Sequence, residues 1–229
     1  MQETRYAIVN GEKIPVLISD ENEALLAAKA AGRAIVGLWR EDAQGDEWCV
    51  ADTLIADMEV ADERFLERIA RRRLGLPWDI CETERLTIRE IAERDYEEIV
   101  KNRVDESLDT VENVADYTKR HYEVFEFGFW TVEEKKSGSL VGVVGFRIPQ
   151  DDGIRGVDYY VLSLSDKNSW NDTLEIGYHI FPEYRRKGYA KEACRAAIEY
   201  AEEEFGTVQF IVRIGKENIV SKKVAESLG

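Results

Sequence analysis

The sequence predicts a mixed α/β (α+β) protein in two parts: a small β-α-β unit over residues 1–80 and a larger unit over 81–229. Three observations carry that prediction. Short runs rich in Val, Ile and aromatics interleave with stretches of three- to four-residue apolar spacing, so strands and helices alternate along the chain. An acid-rich start leads into a helix at 63–73, which Gly75 and Pro77 stop, marking a boundary near residue 80. With 229 residues, 44% hydrophobic and 10% aromatic, the chain can bury the core of one large domain, or of a small and a medium one.

In chain order, residues 14–18 (IPVLI) read as a buried strand. Asp20 is placed to cap an Ala-rich helix over 21–31, Gly32 ends it, and 34–39 (AIVGLW) reads as a second strand. A polar loop, REDAQGDE, and a strand at 48–55 precede the 63–73 helix. The role of this unit is not legible in its residues. From Glu82 onward, ERLTIRE alternates as a strand, AERDYEEIVKNR reads as a helix, and 112–126 as another. FGFWTVEEKKSGSLVGVVGFRI predicts a hairpin turning at Ser137–Ser139. Residues 150–172 form a polar loop enclosing a short strand, VDYYVLSL. LEIGYHIF, a helix to Phe205, VQFIVRI and a helix in NIVSKKVAESL complete the order.

Composition narrows the function. The formal net charge is −15 with a pI near 4.7, which disfavours nucleic acid as partner because phosphate binding needs clustered cations. The same charge suits a cationic acceptor such as an amine or basic peptide, and it equally serves solubility. No apolar run approaches the roughly 20 residues of a membrane span, and the N-terminus lacks the pattern of a signal peptide. Cys49, Cys81 and Cys194 are widely spaced and odd in number, suggesting neither a disulfide framework nor a metal site. A reduced, cytoplasmic setting is expected. The turn after the first strand, SDENE, has no glycines, so there is no dinucleotide fingerprint, and the Walker spacing is absent.

One stretch opposes its own electrostatics. In PEYRRKGYAKEA (182–193), Arg185, Arg186 and Lys187 stand where a helix is about to begin, although a helix N-terminus carries partial positive charge. By contrast Arg71, Arg72 and Arg73 fall at a helix end, where the dipole favours them. Gly188 and Ala190 are small, so a ligand can approach the backbone. The first-turn N–H groups of a helix lack internal partners and form a ready anion site. A polyphosphate there would reverse the penalty; a solvated charge run before a later helix start is the other reading.

RRKGYA fits the [Q/R]xxGx[G/A] pyrophosphate loop of the GNAT superfamily of N-acetyltransferases, with Arg185, Gly188 and Ala190 at its defining positions. ETERLTIREIAERDYEEI resembles the opening strand and helix of the branch that acetylates ribosomal-protein N-termini and related amines. LEIGYHIFPEYRRKGYAKEA is similar to its fourth strand and loop, and NIVSKKVAESLG to its last helix. The resemblance covers about 82–229 in family order. It implies a mainly antiparallel GNAT-type sheet flanked by helices, acetyl-CoA as cosubstrate, no metal, and an amine acceptor that is a protein N-terminus or a small molecule. It also implies that backbone amides of Arg186, Lys187, Gly188, Tyr189 and Ala190 hold the CoA pyrophosphate. The pantetheine arm would run along His179, Ile180 and Phe181, and Asn218 and Ser221 would contact CoA or its thiol.

Amide formation from a thioester needs a neutral amine, and a primary amine has a pKa near 10, so a base must take its proton. Glu175, opening the fourth strand, matches a common base position in this branch; an ordinary strand-end carboxylate is the alternative. A backbone N–H near Ile180 would stabilise the oxyanion. Relatives often use a tyrosine in the last helix as acid, but none follows Asn218, and Ser221 is the substitute candidate. Direct attack in a ternary complex requires no acyl-cysteine, and Cys194 falls on the packing face of its helix as a small core residue. His121 and Tyr122 lie where relatives shape the acceptor pocket, with an exposed helical histidine the plainer account.

The family pattern continues past the final leucine-glycine into a closing hairpin, whereas this chain stops at Gly229. The expectation is therefore a domain lacking its last two strands. VQFIVRI would then be a bare sheet edge, open to self-association as a homo-oligomer. A catalytically silent CoA-binding or partner-binding module is the alternative function.

Overall fold

The computed structural model describes residues 1–39, 49–149, 156–162, 173–207 and 209–228. The polar loop at 40–47 and most of that at 150–172 lie outside the described residues, as do Val208 and Gly229. The chain divides into two compact units, Met1–Trp78 with Lys119–Glu126, and Asp79–Thr118 with Phe127–Gly229.

The first unit is a four-stranded sheet in the order β1-β2-β3-β4, with β1 Gln2–Val9, β2 Glu12–Ser19, β3 Ala34–Leu38 and β4 Leu54–Ile55. Helix α1 (Asn22–Ala30) makes the crossover between the parallel strands β2 and β3. Alternation on β2 sends Val16 and Ile18 into one core with Phe65, Leu66 and Ile69 of α2 (Glu63–Arg73). It sends Leu17 into another with Leu25 and Ala28 of α1.

Two sequence expectations are corrected here. Strand β1 was not foreseen; it pairs antiparallel with β2 across a two-residue turn in which Asn10 and Gly11 both take positive φ, 52° and 81°. Asn-Gly is the favoured sequence for that primed turn, because its twist matches the strands it joins. Asp20 does not cap α1. Glu21 is the cap residue and makes no side-chain cap bond, while Asp20 pairs with the Met1 amine, a full charge that outcompetes a neutral backbone N–H. At α2 the cap is made as expected of an acid-rich start: Asp62 Oδ1 accepts from Phe65 N at 2.7 Å.

The second unit holds a seven-stranded sheet in the order β5-β6-β7-β8-β10-β11-β9. Its strands are β5 Asp79–Glu82, β6 Leu86–Glu90, β7 Phe129–Glu134, β8 Ser139–Arg147, β9 Val157–Val161, β10 Thr173–Ile180 and β11 Gln209–Gly215. Its helices are α3 Tyr96–Lys101, α4 Val111–Phe125 (whose end belongs to the first unit), α5 Tyr189–Phe205 and α6 Ile219–Glu226. Every pairing is antiparallel except β10 with β11. The sheet is thus mixed and mainly antiparallel, with helices flanking it. Ala193, Cys194, Ala197 and Ala201 of α5 are fully buried small residues that let the helix lie close to the sheet. Trp130, itself fully buried, meets Phe146 and Tyr200 edge-on at 5.7 and 5.5 Å.

The expectation that β11 is a bare edge is overturned. Strand β9 pairs with it antiparallel from Ile211↔Val161 to Gly215↔Val157, so the segment enclosed in the 150–172 loop occupies that edge. The reason is physical: β11 between β10 and open solvent would leave a row of buried-strand N–H and C=O groups unpaired. The route to self-association through a bare β11 is thereby removed.

Candidate functional site

The site begins where two neighbouring strands part. β10 and β11 pair at three positions only, Thr173↔Gln209, Leu174↔Phe210 and Glu175↔Ile211. Beyond them β10 continues beside β8 and β11 beside β9, so the two strands diverge toward their C-terminal ends. The opening left in the sheet frees the β11-facing edge of β10 over Ile176–Ile180 from strand pairing, and apart from Ile180 O, which Arg185 engages, its backbone groups are obligatory hydrogen-bonding partners for whatever enters.

At the wide end lies the cationic loop. Pro182–Tyr184 form one 3-10 turn, and Arg185 is extended with its Nε donating to Ile180 O at 2.8 Å. Arg186 takes φ 64° and Gly188 φ 83°, a left-handed pair that turns the chain into α5. Gly188 is the cap residue and offers no side-chain cap bond, so α5 starts with its first N–H groups uncapped by any side chain. The loop is pinned from behind: Arg85 Nη1 donates to Lys187 O at 2.9 Å and Arg85 Nε to Glu192 at 2.7 Å, while Thr83 Oγ1 donates to Glu192 at 2.6 Å. Glu192 thus supplies first-turn negative charge and anchors the turn, leaving the mouth of the helix to the cations in front.

A cleft of about 560 Å³ runs from this loop along β10 to α6. Of the residues named from sequence, it is lined by His179, Ile180, Arg185, Arg186, Gly188, Tyr189, Ala190, Asn218 and Ser221. Two of the residues assigned to the cofactor are not brought to it. Phe181 is fully buried and its N–H donates to Val141 O at 2.9 Å, because β8 keeps pairing with it after β11 has left. Lys187 lies outside the lining, its ammonium 5.1 Å from the Tyr184 ring centre.

A smaller cleft of about 200 Å³ fills the wedge between β10 and β11, with Glu175 at its narrow end. It shares Tyr178, His179, Asn218 and Ser221 with the larger one, so the two adjoin. Asn218 caps α6, its Oδ1 accepting from Ser221 N at 3.1 Å. Tyr178 OH donates to Ser221 O at 2.9 Å, and burial, chiefly, pushes its phenol pKa well up, so it stays protonated. His179 is held neutral: burial, then the Arg185 guanidinium, lower its pKa, and among the described residues its Nε2 has no hydrogen-bond partner.

Glu175 is only 2% exposed and its Oε1 accepts from Arg147 at 2.9 Å (Nε) and 2.5 Å (Nη2), with Arg213 Nε at 3.3 Å. Arg147 also reaches Asp105 at 3.6 Å. Sequence reasoning missed Asp105, Arg147 and Arg213; it allowed only one of Tyr178 and His179 to face the ligand, whereas both line the clefts. A signal for two of them was present: Arg213 and Arg147 interrupt apolar strand runs, as Glu175 does, and a charge in such a run needs a partner. His121 and Tyr122 belong to the first unit and line neither cleft. Among the described residues no group of three or more His, Cys, Asp or Glu could hold a metal ion, and no helix is long and apolar enough to cross a membrane.

Parted strands that open onto a helix start without a side-chain cap, behind a cationic loop, define a fold whose sheet carries an elongated cleft ending in an anion-accepting turn. A family model of the acetyltransferase (GNAT) domain matches residues 85–229, and the chain belongs to that family. The uncharacterized N-acetyltransferase YnaD of Bacillus subtilis (strain 168) is 40% identical over 57 residues, 25% of this chain and 34% of YnaD. The uncharacterized protein YkkB of the same organism is 28% identical over 117 residues, 50% of this chain and 57% of YkkB. The chain thus spans between about a third and just over half of the length of these two relatives. Among solved structures, a protein of Bordetella pertussis assigned to the GnaT family of acetyltransferases superposes with a TM-score of 0.51 at 18% identity, over 66% of this chain and 88% of that one. That likeness is one of fold.

Proposed function

We propose that the protein transfers an acetyl group from acetyl-CoA to a primary amine, on a protein N-terminus or a small molecule. One observation carries this reading: the wedge between β10 and β11 and the uncapped start of α5 open into two adjoining clefts that share the lining residues Tyr178, His179, Asn218 and Ser221. The residues fit the group. Acetyl-CoA is long and carries phosphates at one end and a thioester at the other, and of the two adjoining clefts one has an anion-accepting turn and the other a narrow wedge. When bound, it supplies the activated acyl group.

In this reading the N–H groups from Arg186 to Ala190 and the charges of Arg185 and Arg186 hold the pyrophosphate. The exposed edge of β10 around Tyr178–Ile180 pairs with the pantetheine amides and positions a backbone N–H near the acyl carbonyl. Asn218, with its Oδ1 committed to the α6 cap, has its NH2 to offer the ligand. Ser221 and the protonated Tyr178 stand where the thiol departs. Glu175 takes the amine proton through water, because its carboxylate is buried behind the Arg147 bonds. That sequestration of the candidate base is also what favours the second reading, a CoA-binding module without turnover.

Calorimetric titration of acetyl-CoA into the protein, beside Gly188→Trp, tests the proposal. Gly188 has φ 83° and stands at the mouth of the helix, so the indole both strains the turn and fills the approach. Micromolar binding abolished by the tryptophan, with amine-dependent release of CoA thiol, is the expected result. Binding without thiol release across amines selects the silent module. Absence of binding to a folded, monodisperse sample, or free pyrophosphate binding as tightly as CoA, would overturn the assignment.

A further inference from the structure

The loop before α5 contains a peptide whose orientation sterics leave open. Gly188 takes φ 83°, and glycine, having no Cβ, adopts either sign of φ about equally well. The peptide joining Lys187 to Gly188 is planar and trans, so its C=O and N–H point in opposite directions. Turning that plane over exchanges the two groups. The cleft then meets a carbonyl oxygen in place of an N–H, and a carbonyl oxygen repels an anion.

One side chain decides between the two orientations. Arg85 Nη1 donates to Lys187 O at 2.9 Å, from 102 positions earlier in the chain. With the carbonyl held on the guanidinium, the Gly188 N–H points the other way. Gly188, Tyr189 and Ala190 line the larger cleft and neither Arg85 nor Lys187 does, so the guanidinium stands behind the peptide. Among the described residues no backbone carbonyl accepts from the Gly188 N–H.

The guanidinium is itself held in place. Its Nε donates to Glu192 at 2.7 Å, and its centre lies 4.8 Å from the centre of the Tyr189 ring. The same carboxylate accepts from the Arg85 backbone N–H at 3.1 Å and from Thr83 Oγ1 at 2.6 Å. Arg85 is 45% exposed, and an arginine that exposed, holding a lone carbonyl, would lose much of the bond to side-chain entropy. Fixed on Glu192 and the ring, it has that freedom already restricted. Glu192, in the first turn of α5, also offsets its charge. What Arg85 adds to the anion site is therefore the direction of a peptide dipole, in contrast to the cations in front of the helix.

We propose that Arg85 is the positioning residue of the anion-accepting turn: by holding Lys187 O it aims the Gly188 N–H into the cleft, at the pyrophosphate of acetyl-CoA. The identity of that ligand rests on the acetyl-transfer reading. Without the Arg85 bond both peptide orientations are open to the glycine and only one accepts the anion, so apparent affinity falls with the fraction of molecules in that state. A hydrogen bond from a charged donor biases such a choice by about tenfold or more.

Acetyl-CoA titrated calorimetrically into wild type, Arg85→Gln and Arg85→Lys, with melting temperatures alongside, tests this. S-acetylpantetheine, which has the thioester arm without the pyrophosphate, is titrated into the same proteins and followed by NMR. Glutamine is shorter and uncharged, and lysine keeps the charge without the fork that serves Glu192 and Lys187 O together. The expected result is about tenfold weaker acetyl-CoA binding in Arg85→Gln and a smaller loss in Arg85→Lys, with S-acetylpantetheine binding unchanged in both. Should Arg85→Gln not fold, Arg85→Lys decides by the same comparison of the two ligands. Equal losses for both ligands, tracking a lowered melting temperature, would make Arg85 a structural clip and overturn the proposal. Undiminished acetyl-CoA affinity in the folded variants would overturn it too. Wild-type protein that binds neither ligand removes the acetyl-transfer reading, and the proposal with it.

Discussion

At the residue scale the clearest consequence concerns Glu175. It is nearly inaccessible and bonded to Arg147, with Arg213 alongside at 11% exposure. Removing one partner of a buried ion pair typically costs 3–5 kcal/mol, because the other charge is left uncompensated. Here Arg147 is 38% exposed and can turn to water, and glutamine keeps an acceptor, so the figure for Glu175→Gln is smaller, about 2 kcal/mol. Urea unfolding of the variant should therefore show a lowered midpoint. Turnover of this variant must accordingly be compared at equal folded protein. Turnover lost with the midpoint unchanged would instead mean that the carboxylate serves the chemistry and not the fold. The sequence marked Glu175 as special but not why. Its partners lie on β8, opposite it in register, and on β11, thirty-eight positions away, and only strand pairing brings them together.

At the element scale, Asn218 joins a fold role to the proposed binding role. As cap of α6 it satisfies the Ser221 N–H, and replacing such a cap by alanine costs about 1 kcal/mol. Asp keeps the cap while losing the NH2 donor and adding negative charge beside the cleft. The expected pattern is that Asn218→Ala loses both stability and acetyl-CoA affinity, whereas Asn218→Asp keeps the wild-type midpoint and loses affinity alone. Chemical denaturation and calorimetry on the two variants check it; equal affinity in Asn218→Asp and wild type would leave the residue as a cap only. Helices α2, α5 and α6 were legible because their caps, apolar faces and stops are local. The strands that escaped notice, β1 and β5, were missed for different reasons. The Asn10-Gly11 turn announced β1, but QETRYAIV lacks a strong apolar run, with four of its eight residues polar or charged. β5 is four residues long and pairs through an irregular register at Asp79/Cys81. The divergence of β10 from β11, on which the candidate site depends, has no local signature: it is a property of two ladders, each continuing with a different neighbour.

At the scale of the whole molecule, a single cut near residue 80 does not reproduce the packing. Lys119–Glu126 belongs with Met1–Trp78, and the bonds that tie it there are specific. Arg68 pairs with Glu126 at 3.0 Å, Thr53 Oγ1 donates to Glu123 O at 3.3 Å, and the Arg72 guanidinium lies 5.9 Å from the centre of the Tyr122 ring. Tyr122 is 2% exposed. A fragment beginning at Asp79 would strip those partners from the end of α4 and open the tyrosine to water. Leaving a large side chain exposed instead of buried forfeits about 1.5–3 kcal/mol, and in a domain of this size each kcal/mol moves the melting temperature by about 2–4 °C. The fragment should therefore melt roughly 5–10 °C below the corresponding transition of the full chain and bind a hydrophobic dye that the full chain does not. The α5 loop and the β10–β11 wedge lie wholly in residues 79–229, so acetyl-CoA should still bind the fragment below its melting transition. A fragment that melts with the full chain and binds no dye would show that the last turns of α4 need no partner from the first 78 residues. A fragment that folds but no longer binds acetyl-CoA would mean that the first unit supplies part of the site, and the assignment of the cleft to the second unit alone would fall.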